Sequence, residues 1–562
     1  MSASVTDTHW NVRDPRPLTN VSIAGLMARL LQLRGIGDSQ EAHRFLNPIL
    51  PDRFDLPNLD VAVIRLAAAI HAGERIAVYG DYDADGITAT AVLVQGIGEL
   101  GGVAFPYIPD RFSEGYGLNE QALAALIDEG ARLVVTVDTG TNATHEIAYA
   151  NERRLDVIVV DHHTPKEHLP DAVAIVNPHL SGAPDSLRYL SGCGVAFVTL
   201  AALARHLDVP IDLDRYLDLV AIGTVCDVVP LAGANRALVA RGLEQIATLR
   251  RPGLTALIQA ARVSQSVTAH TLGFVIGPRI NAAGRLDHGI KAFELLTTDD
   301  ASRAAALAAE LEDLNRKRQV LTAEAVALCR EIAQAECEGA PLVMVGHPDV
   351  GGGIVGLVAA RLAQEHRRPA IVYRKGAELS VGSARSIAGF DIHAALSQGS
   401  HLMERFGGHH QAGGFTVRTD RVDELRSLLT TWTAGQRDWS TVTPTIDIDL
   451  ELPAEVPFVR ADLIANIARL EPFGQSNEPP VFLTRAATVR DAQITKDGNH
   501  LRLRIDAGSG RRPWPAIAFD LAAHRPHPGD TIDLVYQITR DRRGEPQMRV
   551  LDFAPSPGPS PR

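Results

Sequence analysis

Residues 75–90, RIAVYGDYDADGITAT, decide the fold of this chain. The stretch begins with an apolar run, Ile76 to Tyr79, that is typical of a short buried strand. Asp81, Asp83 and Asp85 follow at alternate positions, and alternate side chains of an extended backbone point the same way. Three carboxylates on one side of a strand end repel each other unless a cation lies between them. The stretch therefore predicts a divalent-metal site at the end of a buried strand.

Two other interpretations of this stretch exist. The pattern D-x-D-x-D-G also opens the calcium loop of an EF-hand, which needs a glutamate at its twelfth position and a helix before the loop. Here the twelfth position is Val92 and a strand-like run precedes the loop. The other alternative is a solvated acidic turn that binds no metal. Further ligands elsewhere in the chain would favour the metal site.

Length and composition set broad limits. The chain has 562 residues, too many for one core, so we expect about two to four domains. A net charge of −12 disfavours a protein that coats nucleic acid without specificity, but it allows a local basic groove. The four cysteines form no C-x-x-C pair and predict neither a zinc site nor a disulfide framework. With no secretory signal and no apolar span of membrane length, we expect a cytoplasmic protein.

Strand-like apolar runs alternate with helical segments between about residues 60 and 230. The runs RLVVTVD (132–138) and DVIVVDHH (156–163) are nearly continuous in valine and isoleucine, which predicts a parallel sheet covered on both faces. Such sheets bind ligands at the carboxyl ends of their strands. Asp227 lies in an apolar segment, where an unpaired carboxylate is costly. The additional candidate ligands are Asp138, Asp161, His162, His163 and Asp227.

Each of these residues has an ordinary alternative role. Asp138 could cap the following segment, Asp227 could pair with an arginine, and the two adjacent histidines could belong to an ordinary loop. Together they predict a dinuclear site, and mixed carboxylate and imidazole ligands suit Mn²⁺ or Mg²⁺, with Mn²⁺ favoured by the nitrogen ligand. Two such ions about 3.5–4 Å apart are the usual machinery of phosphoester hydrolysis.

The second half of the chain has a different pattern. Residues 299–336 contain neither proline nor glycine and predict one long helix that connects two lobes, with two packed helices as the alternative. A second α/β lobe follows. Short alternating runs beyond about residue 440 predict a small antiparallel barrel or sandwich. The expected division is a helical segment (1–55), a catalytic domain (56–235), a helical linker (236–338), a second domain (339–435), a barrel (436–555) and a disordered tail (556–562).

The order of the acidic and histidine motifs resembles the four motifs of the DHH phosphoesterase superfamily. FGGH (406–409) followed by AGG (412–414) resembles the signature of the companion DHHA1 domain. Three more segments resemble those of the single-strand-specific 5′→3′ exonucleases of that superfamily: GPRINAAGR (277–285), GSARSI (382–387) and EPFGQSNEPPVF (471–482). One loop departs from the pattern, because Gly346 replaces a tryptophan and residues 350–353 include an insertion.

The resemblance implies a set of metal ligands. One metal would be held by Asp85, Asp138, His162 and Asp227. The other would be held by Asp83 and a bridging Asp138, with Asp81 nearby as a ligand or supporting acid. Asp161 would orient its neighbours, and His163 would contact the scissile phosphate. The implied catalytic residues are Asp83, Asp85, Asp138, His162, His163 and Asp227.

The resemblance also implies DNA contacts. Ser383 and Arg385, with Arg279, would bind the terminal 5′-phosphate, and His409 would contact the DNA backbone. Barrels of the implied OB type bind single strands through basic grooves and aromatic platforms. Trp514 is a candidate platform, with packing inside the barrel as its alternative. The remaining implied DNA-binding residues are Asn281, Arg285 and Ser386.

The implied protein is an α/β enzyme with a parallel-sheet DHH domain, a smaller α/β DHHA1 domain joined to it by a long helix, and a C-terminal OB-type β barrel. It would be a single-stranded DNA 5′→3′ exonuclease that releases 5′-mononucleotides with two Mn²⁺ or Mg²⁺ ions in DNA repair and recombination. Its partners would be single-stranded DNA with a free 5′ end, a single-strand-binding protein and a helicase, and it would be a monomer. The alternatives are a DHH oligoribonuclease, a cyclic-dinucleotide phosphodiesterase and a non-catalytic single-stranded-DNA scaffold.

Overall fold

A computed structural model describes residues 4–16, 22–51, 53–115, 117–437, 439, 443–453, 461–506, 513–541 and 543–556. The chain begins with β1 (His9–Asp14), α1 (Ile23–Leu33) and α2 (Ser39–Leu46). A helical segment was expected here. The strand was not, and it exists because it pairs in parallel with a strand near residue 448, far along the chain. Most of the predicted disordered tail lies outside the described residues.

The first lobe is built on a wholly parallel five-stranded sheet, as predicted, with strand order β3-β2-β4-β5-β6. Helices cover both faces, so the apolar runs of the strands are buried on both sides. In chain order its elements are α3 (Leu59–His71), β2 (Arg75–Tyr79), α4 (Ala84–Glu99), β3 (Val103–Tyr107), α5 (Glu120–Asp128), β4 (Ala131–Val137), α6 (Thr144–Glu152), β5 (Asp156–Val160), β6 (Ala174–Val176), α7 (Gly192–Leu207), α8 (Leu217–Cys226) and α9 (Gly233–Ala247).

A helical region connects the lobes and ends in a single helix of 36 residues, about 54 Å long at 1.5 Å per residue. Its first half buries Leu307 and Leu311 in the core of the first lobe, and its second half buries Val326 and Cys329 in a core of the second lobe. The prediction of one connecting helix is therefore confirmed. The region comprises α10 (Pro252–Ala260), α11 (Ala269–Thr271), a π-helical stretch (Leu272–Ile276), α12 (Gly277–Leu286), α13 (Ile290–Thr297) and α14 (Ala301–Glu336).

The second lobe has a mixed five-stranded sheet with strand order β10-β11-β9-β8-β7. The ring of Tyr373 lies against Gly346, where a Cβ would come within 2.1 Å of it, and so fills space at the position where a tryptophan was expected. The elements are β7 (Val343–His347), α15 (Val355–His366), β8 (Ala370–Arg374), β9 (Leu379–Arg385), α16 (Ile392–Gln398), β10 (Met403–His409), β11 (Ala412–Arg418) and α17 (Val422–Ala434).

The C-terminal part is a closed five-stranded barrel, because β13 pairs with both β14 and β16. The N-terminal helix α1 packs into the barrel core through Leu26 and Leu30. The elements are β12 (Thr445–Glu451), α18 (Ala461–Ala468), β13 (Phe482–Ile494), β14 (Leu501–Asp506), β15 (Trp514–Ala518), β16 (Thr531–Arg540) and β17 (Pro546–Pro555). Among the described residues, no helix combines the length and the apolar character needed to cross a bilayer.

Candidate active site

The carboxyl ends of neighbouring parallel strands bring distant acids together. Asp138 follows β4, and its N–H donates to the Val160 carbonyl on β5 at 3.1 Å. Asp161, His162 and His163 follow β5 directly. Asp138 adopts a left-handed backbone with φ of +59°, which turns the chain sharply at the strand end.

The first acidic motif does not stay extended as far as Asp85, which corrects the sequence-based expectation. Helix α4 begins at Ala84, and Asp83 is its N-cap. The Asp83 Oδ1 accepts the N–H groups of Asp85 at 2.9 Å and Gly86 at 3.1 Å. Asp85 therefore lies in the first helical turn, and the motif converges by turning into a helix instead of by strand alternation.

His162 is the centre of one ligand group. Its Nε2 lies 3.0 Å from Asp138 Oδ1, 3.5 Å from Asp227 Oδ2 and 4.0 Å from Asp85 Oδ2. Asp138 Oδ1 and His162 Nε2 are both buried without a hydrogen-bond partner among the described residues. Burial and the neighbouring His163 lower the pKa of His162 to about 3, so the imidazole is neutral, as a metal ligand must be. Facing acceptor atoms at these distances fit a shared cation.

The candidate ligand atoms form two carboxylate-rich sets, and a third set of Asp138, Asp161, His162 and His163 overlaps them. Those of Asp85, His162 and Asp227 lie within 4.8 Å of one another, and so do those of Asp81, Asp83 and Asp138. The short contact between Asp138 and His162 links the two sets. Carboxylate oxygens with one imidazole nitrogen are a donor set that suits Mn²⁺ or Mg²⁺. The residues present therefore fit two divalent ions that share Asp138.

The electrostatics of the cluster agree with this fit. Burial and the charge of Asp83 raise the pKa of Asp81 to about 8 and that of Asp85 to about 7. Burial and neighbouring carboxylates also raise the pKa values of Asp138 and Asp227 well above the usual range. Divalent cations between these groups would stabilise the ionised forms that packing alone disfavours.

The N-terminus of α7 and two glycines hold Asp85 and Asp138 in place, which the sequence did not reveal. The N–H groups of Gly192 and Cys193 donate to the two Asp85 carboxylate oxygens at 2.7 and 3.0 Å. A Cβ on Gly192 would lie 2.5 Å from Asp138 Cβ, and one on Gly223 would lie 2.4 Å from Asp85 Oδ1. The small residues around positions 191–194 were the available signal.

Asp161 supports His163 more than His162. The Asp161 Oδ1 accepts a hydrogen bond from His163 Nδ1 at 2.8 Å, whereas it meets His162 through the backbone N–H at 2.7 Å. Burial opposes ionisation of His163, but the charge and hydrogen bond of Asp161 prevail and raise its pKa to about 9. The site thus includes an imidazolium beside the carboxylates.

Arginines from three parts of the chain converge beside the carboxylate cluster. Arg285 on α12 has its pKa lowered to about 10 by burial and then by Arg111, Arg318 and Arg385. Arg385 donates to Ser383 Oγ at 2.7 Å, and burial and Arg111 lower its pKa. Crowded, desolvated guanidinium groups favour a bound anion, and their planar forks suit phosphate.

The N-terminus of α15 adds to this anion site. Gly356, in its first turn, leaves room for Arg385, since a Cβ there would lie 2.7 Å from Arg385 Nη2. Helix N-termini bind phosphate through free N–H groups. The Arg285 guanidinium donates to the Gly353 carbonyl at 3.1 Å, so the divergent loop of the second lobe packs against this arginine. His409 lies close to this site. Burial lowers its pKa most, and the charges of His410, Arg385 and His163 lower it further.

Several implied DNA-binding residues have other roles in the structure. Trp514 is 5% exposed inside the barrel core, so its ring is closed to bases. Arg279 pairs with Glu312 at 2.6 Å. Asn281 accepts the Ala84 N–H at 2.7 Å and so positions the acidic motif. Ser386 donates its hydroxyl hydrogen to the Phe390 carbonyl at 2.6 Å within its own loop.

Arg111 and Arg318 were missed from the sequence. Arg111 follows the carboxyl end of β3 and lies over the Tyr82 ring at 4.8 Å, so the strand-end rule that found the acids could have found it. Arg318 lies within the long helix α14, where one more charged residue carries no signal.

Comparison with known proteins agrees with this architecture. The DHH family N-terminal domain matches residues 75–224, the DHHA1 domain matches residues 339–435 and the RecJ OB domain matches residues 448–552. The single-stranded-DNA-specific exonuclease RecJ of Bacillus subtilis (strain 168) is 34% identical over 563 residues, which cover 97% of this chain and 71% of that protein.

Solved structures extend the match to the three-dimensional fold. RecJ from Thermus thermophilus in complex with Mn²⁺ superposes with a TM-score of 0.83 at 31% identity, covering 99% of this chain and 82% of that chain. The same protein in complex with Mg²⁺ gives a TM-score of 0.76 at 29% identity, covering 99% and 79%. The fold and the sequence similarity over nearly all of this chain agree, and the chain belongs to the RecJ family of DHH phosphoesterases.

Proposed function

We propose that this chain is a metal-dependent exonuclease that degrades single-stranded DNA from its 5′ end and releases 5′-mononucleotides. The observation that carries the proposal is that two ligand sets sharing Asp138 face a group of partly buried arginines around Arg285 and Arg385. A phosphate held by the arginines would place the next phosphodiester over the carboxylates. The family relation supports single-stranded DNA as the substrate.

The metal site follows the two ligand sets. One ion would be held by Asp85, Asp138, His162 and Asp227, and the other by Asp83 and Asp138 with Asp81. When bound, such ions activate water and stabilise the negative charge that develops on the phosphoryl oxygens. His163, kept protonated by Asp161, donates a hydrogen bond to a non-bridging oxygen of the scissile phosphate.

The anion site accounts for digestion from the 5′ end of the strand. Ser383, Arg385 and the N-terminus of α15 bind the terminal 5′-phosphate, and Arg285 and Arg111 complete the site. In this assignment Arg285 replaces Arg279, whose guanidinium pairs with Glu312. His409, close enough to Arg385 and His163 for their charges to lower its pKa, contacts the backbone of the terminal nucleotide.

The proposal includes the cellular setting. Roles in DNA repair and recombination, contacts with a single-strand-binding protein and a helicase, action as a monomer and a cytoplasmic location are inferred from the family relation. The alternatives differ in substrate. An oligoribonuclease would prefer short RNA, a cyclic-dinucleotide phosphodiesterase would cleave cyclic dinucleotides, and a scaffold would bind DNA without cleaving it.

The test is digestion of end-labelled single-stranded DNA with Mn²⁺. Wild type should release labelled mononucleotide at once from 5′-labelled strands and only late from 3′-labelled strands. Asp138→Ala, which removes the carboxylate shared by both ligand sets, should lower the rate by at least roughly 100-fold. Asp185→Ala is the control, because this carboxylate is 94% exposed outside the cluster. Full activity in Asp138→Ala would refute the site assignment.

A further inference from the structure

Phe274 is an exposed aromatic side chain that the proposed catalytic site does not use. It is 72% exposed and lies in the π-helical stretch Leu272–Ile276. Pro278 has no N–H to donate to the Phe274 carbonyl, which interrupts α-helical bonding at this point. The residues two positions away on either side are buried, so this ring is turned toward solvent. His270 stacks on one ring face at 4.5 Å with an interplanar angle of 29°.

The π-helical stretch packs against the part of the first lobe that carries a proposed metal ligand. The Cys226 thiol donates to the Leu272 carbonyl at 3.7 Å. A Cβ on Gly277 would lie 2.3 Å from Cys226 Sγ, so the two helices are in close contact. Asp227 is the next residue along the chain. The open face of Phe274 therefore lies on an element that packs against the helix leading to Asp227.

The same surface continues onto the barrel. The side-chain amide of Gln265, shortly before the π-helical stretch, donates to the Asp541 carbonyl after β16, so this helical region contacts the barrel. Burial and then the charge of Arg549, on β17, lower the pKa of His270. Arg549 also lies over the ring of Phe519 at 5.7 Å, and Phe519 is 47% exposed. Across the barrel wall, Ile517 is paired with both Arg549 and Arg502, so all three project outward on one row. The surface thus alternates exposed aromatic rings with cations.

Resting on the proposed exonuclease function, we propose that Phe274 and Phe519 stack on bases of the DNA strand 3′ to the scissile bond, with Arg549 binding a phosphate between them. Base–aromatic stacking tolerates any sequence, as an exonuclease requires, and guanidinium groups suit phosphate. Isolated rings separated by a guanidinium suit a single strand better than the continuous apolar centre of a protein interface.

The test measures affinity for 5′-phosphorylated oligo(dT) by fluorescence anisotropy, using full-length protein in an Asp138→Asn background to prevent digestion. Phe274→Ala should raise the Kd roughly tenfold for strands longer than about 16 nucleotides, and less for strands shorter than about 4 nucleotides. Phe274→Trp should retain affinity, whereas Phe274→Leu should lose it, because only the former keeps a π face. Leu379→Ala is the control, an exposed apolar residue of the second lobe.

Three results would overturn the inference: an unchanged Kd in Phe274→Ala, full affinity in Phe274→Leu, or an equal loss for short and long strands. Failure of the proposed function is a separate result, since it would appear as absence of Mn²⁺-dependent digestion by wild type. Loss of long-strand affinity in Phe519→Ala would support the continuation of the surface onto the barrel.

Discussion

The carboxylate centre depends on the backbone of Asp138 and on Gly192 beside it, where a side chain would not fit. Asp138 holds a left-handed backbone that costs a non-glycine residue roughly 1–3 kcal/mol. The turn is held because the Asp138 N–H continues the sheet pairing to Val160, and because Gly192 leaves space for the carboxylate. The strained backbone thus directs the Asp138 carboxylate toward both ligand sets.

Gly192→Ala should disable the centre. The new methyl group would lie 2.5 Å from Asp138 Cβ and 2.7 Å from Asp138 Oδ1, so the carboxylate must move. Displacement of a catalytic group by about 1 Å lowers kcat by roughly 100-fold. The measurement is Mn²⁺ affinity by calorimetry together with kcat on single-stranded DNA.

Gly98→Ala provides the control for this substitution. It adds a methyl group near the end of α4 with no heavy atom within 4 Å, so metal affinity and kcat should not change. Equal behaviour of the two variants would mean that Gly192 does not set the position of Asp138.

At the level of single residues, prediction from sequence succeeded where the chemistry of a site requires particular residue types at particular places in the chain. The metal-site candidates converge in space as their order along strand ends suggested. Trp514 failed as a stacking platform because an aromatic residue in an alternating strand has the same sequence signal facing inward or outward, and this one faces the core. Arg279 stays a prediction as a DNA contact, and its ion pair with Glu312 on a distant helix has no signal in the sequence.

At the scale of helices and strands, the residue pattern within a segment predicted those elements whose formation depends on that segment itself. The parallel strands and α14 followed from apolar runs and from the absence of proline and glycine. The three alternating aspartates were interpreted as extended backbone, whereas capping by Asp83 begins α4 at Ala84. Strand β1 could not be predicted, since its pairing partner begins at Thr445.

The ion pairs of Asp14, at the end of β1, should make stability depend on pH. Hydrogen bonds from Arg16 outweigh the opposing effect of burial and, with those from Arg29, hold the pKa of Asp14 well below its usual range. Its contribution is therefore present above the unfolded-state pKa of about 3.9 and is lost as pH falls toward the folded-state pKa. Asp14→Asn should lower the free energy of unfolding by roughly 1–3 kcal/mol at neutral pH.

Urea unfolding at pH 7 and at pH 3 measures this dependence. The difference between wild type and Asp14→Asn should shrink at the lower pH. Asp185→Asn, at a site 94% exposed, should change neither value. A difference that stays constant between the two pH values would show that the charge of Asp14 is not what stabilises β1 against α1.

At the scale of the molecule, the proposed site exists only because three regions meet. His163 comes from the first lobe, Arg285 from the connecting region and Arg385 from the second lobe. The charge of Arg385 lowers the pKa of Arg285, and the charge of His163 lowers the pKa of His409 in the second lobe, so the three regions lie close together. Proximity of like charges has no signature in sequence, because it depends on how lobes dock. The segment 471–482, which resembled a family motif without a chemical role, joins the barrel to the first lobe.

Arg236 should hold this junction together. It is 3% exposed on α9 and donates to the carbonyl groups of Phe45 at 2.9 Å and Glu471 at 2.7 Å, with its guanidinium 3.8 Å from the centre of the Phe45 ring. Arg236→Ala removes these charged hydrogen bonds from buried carbonyl groups and should lower the free energy of unfolding by roughly 3 kcal/mol. Arg241→Ala, on the same helix with a side chain 42% exposed, should change it little. Urea unfolding compares the two, and equal midpoints would mean that other contacts alone dock the barrel.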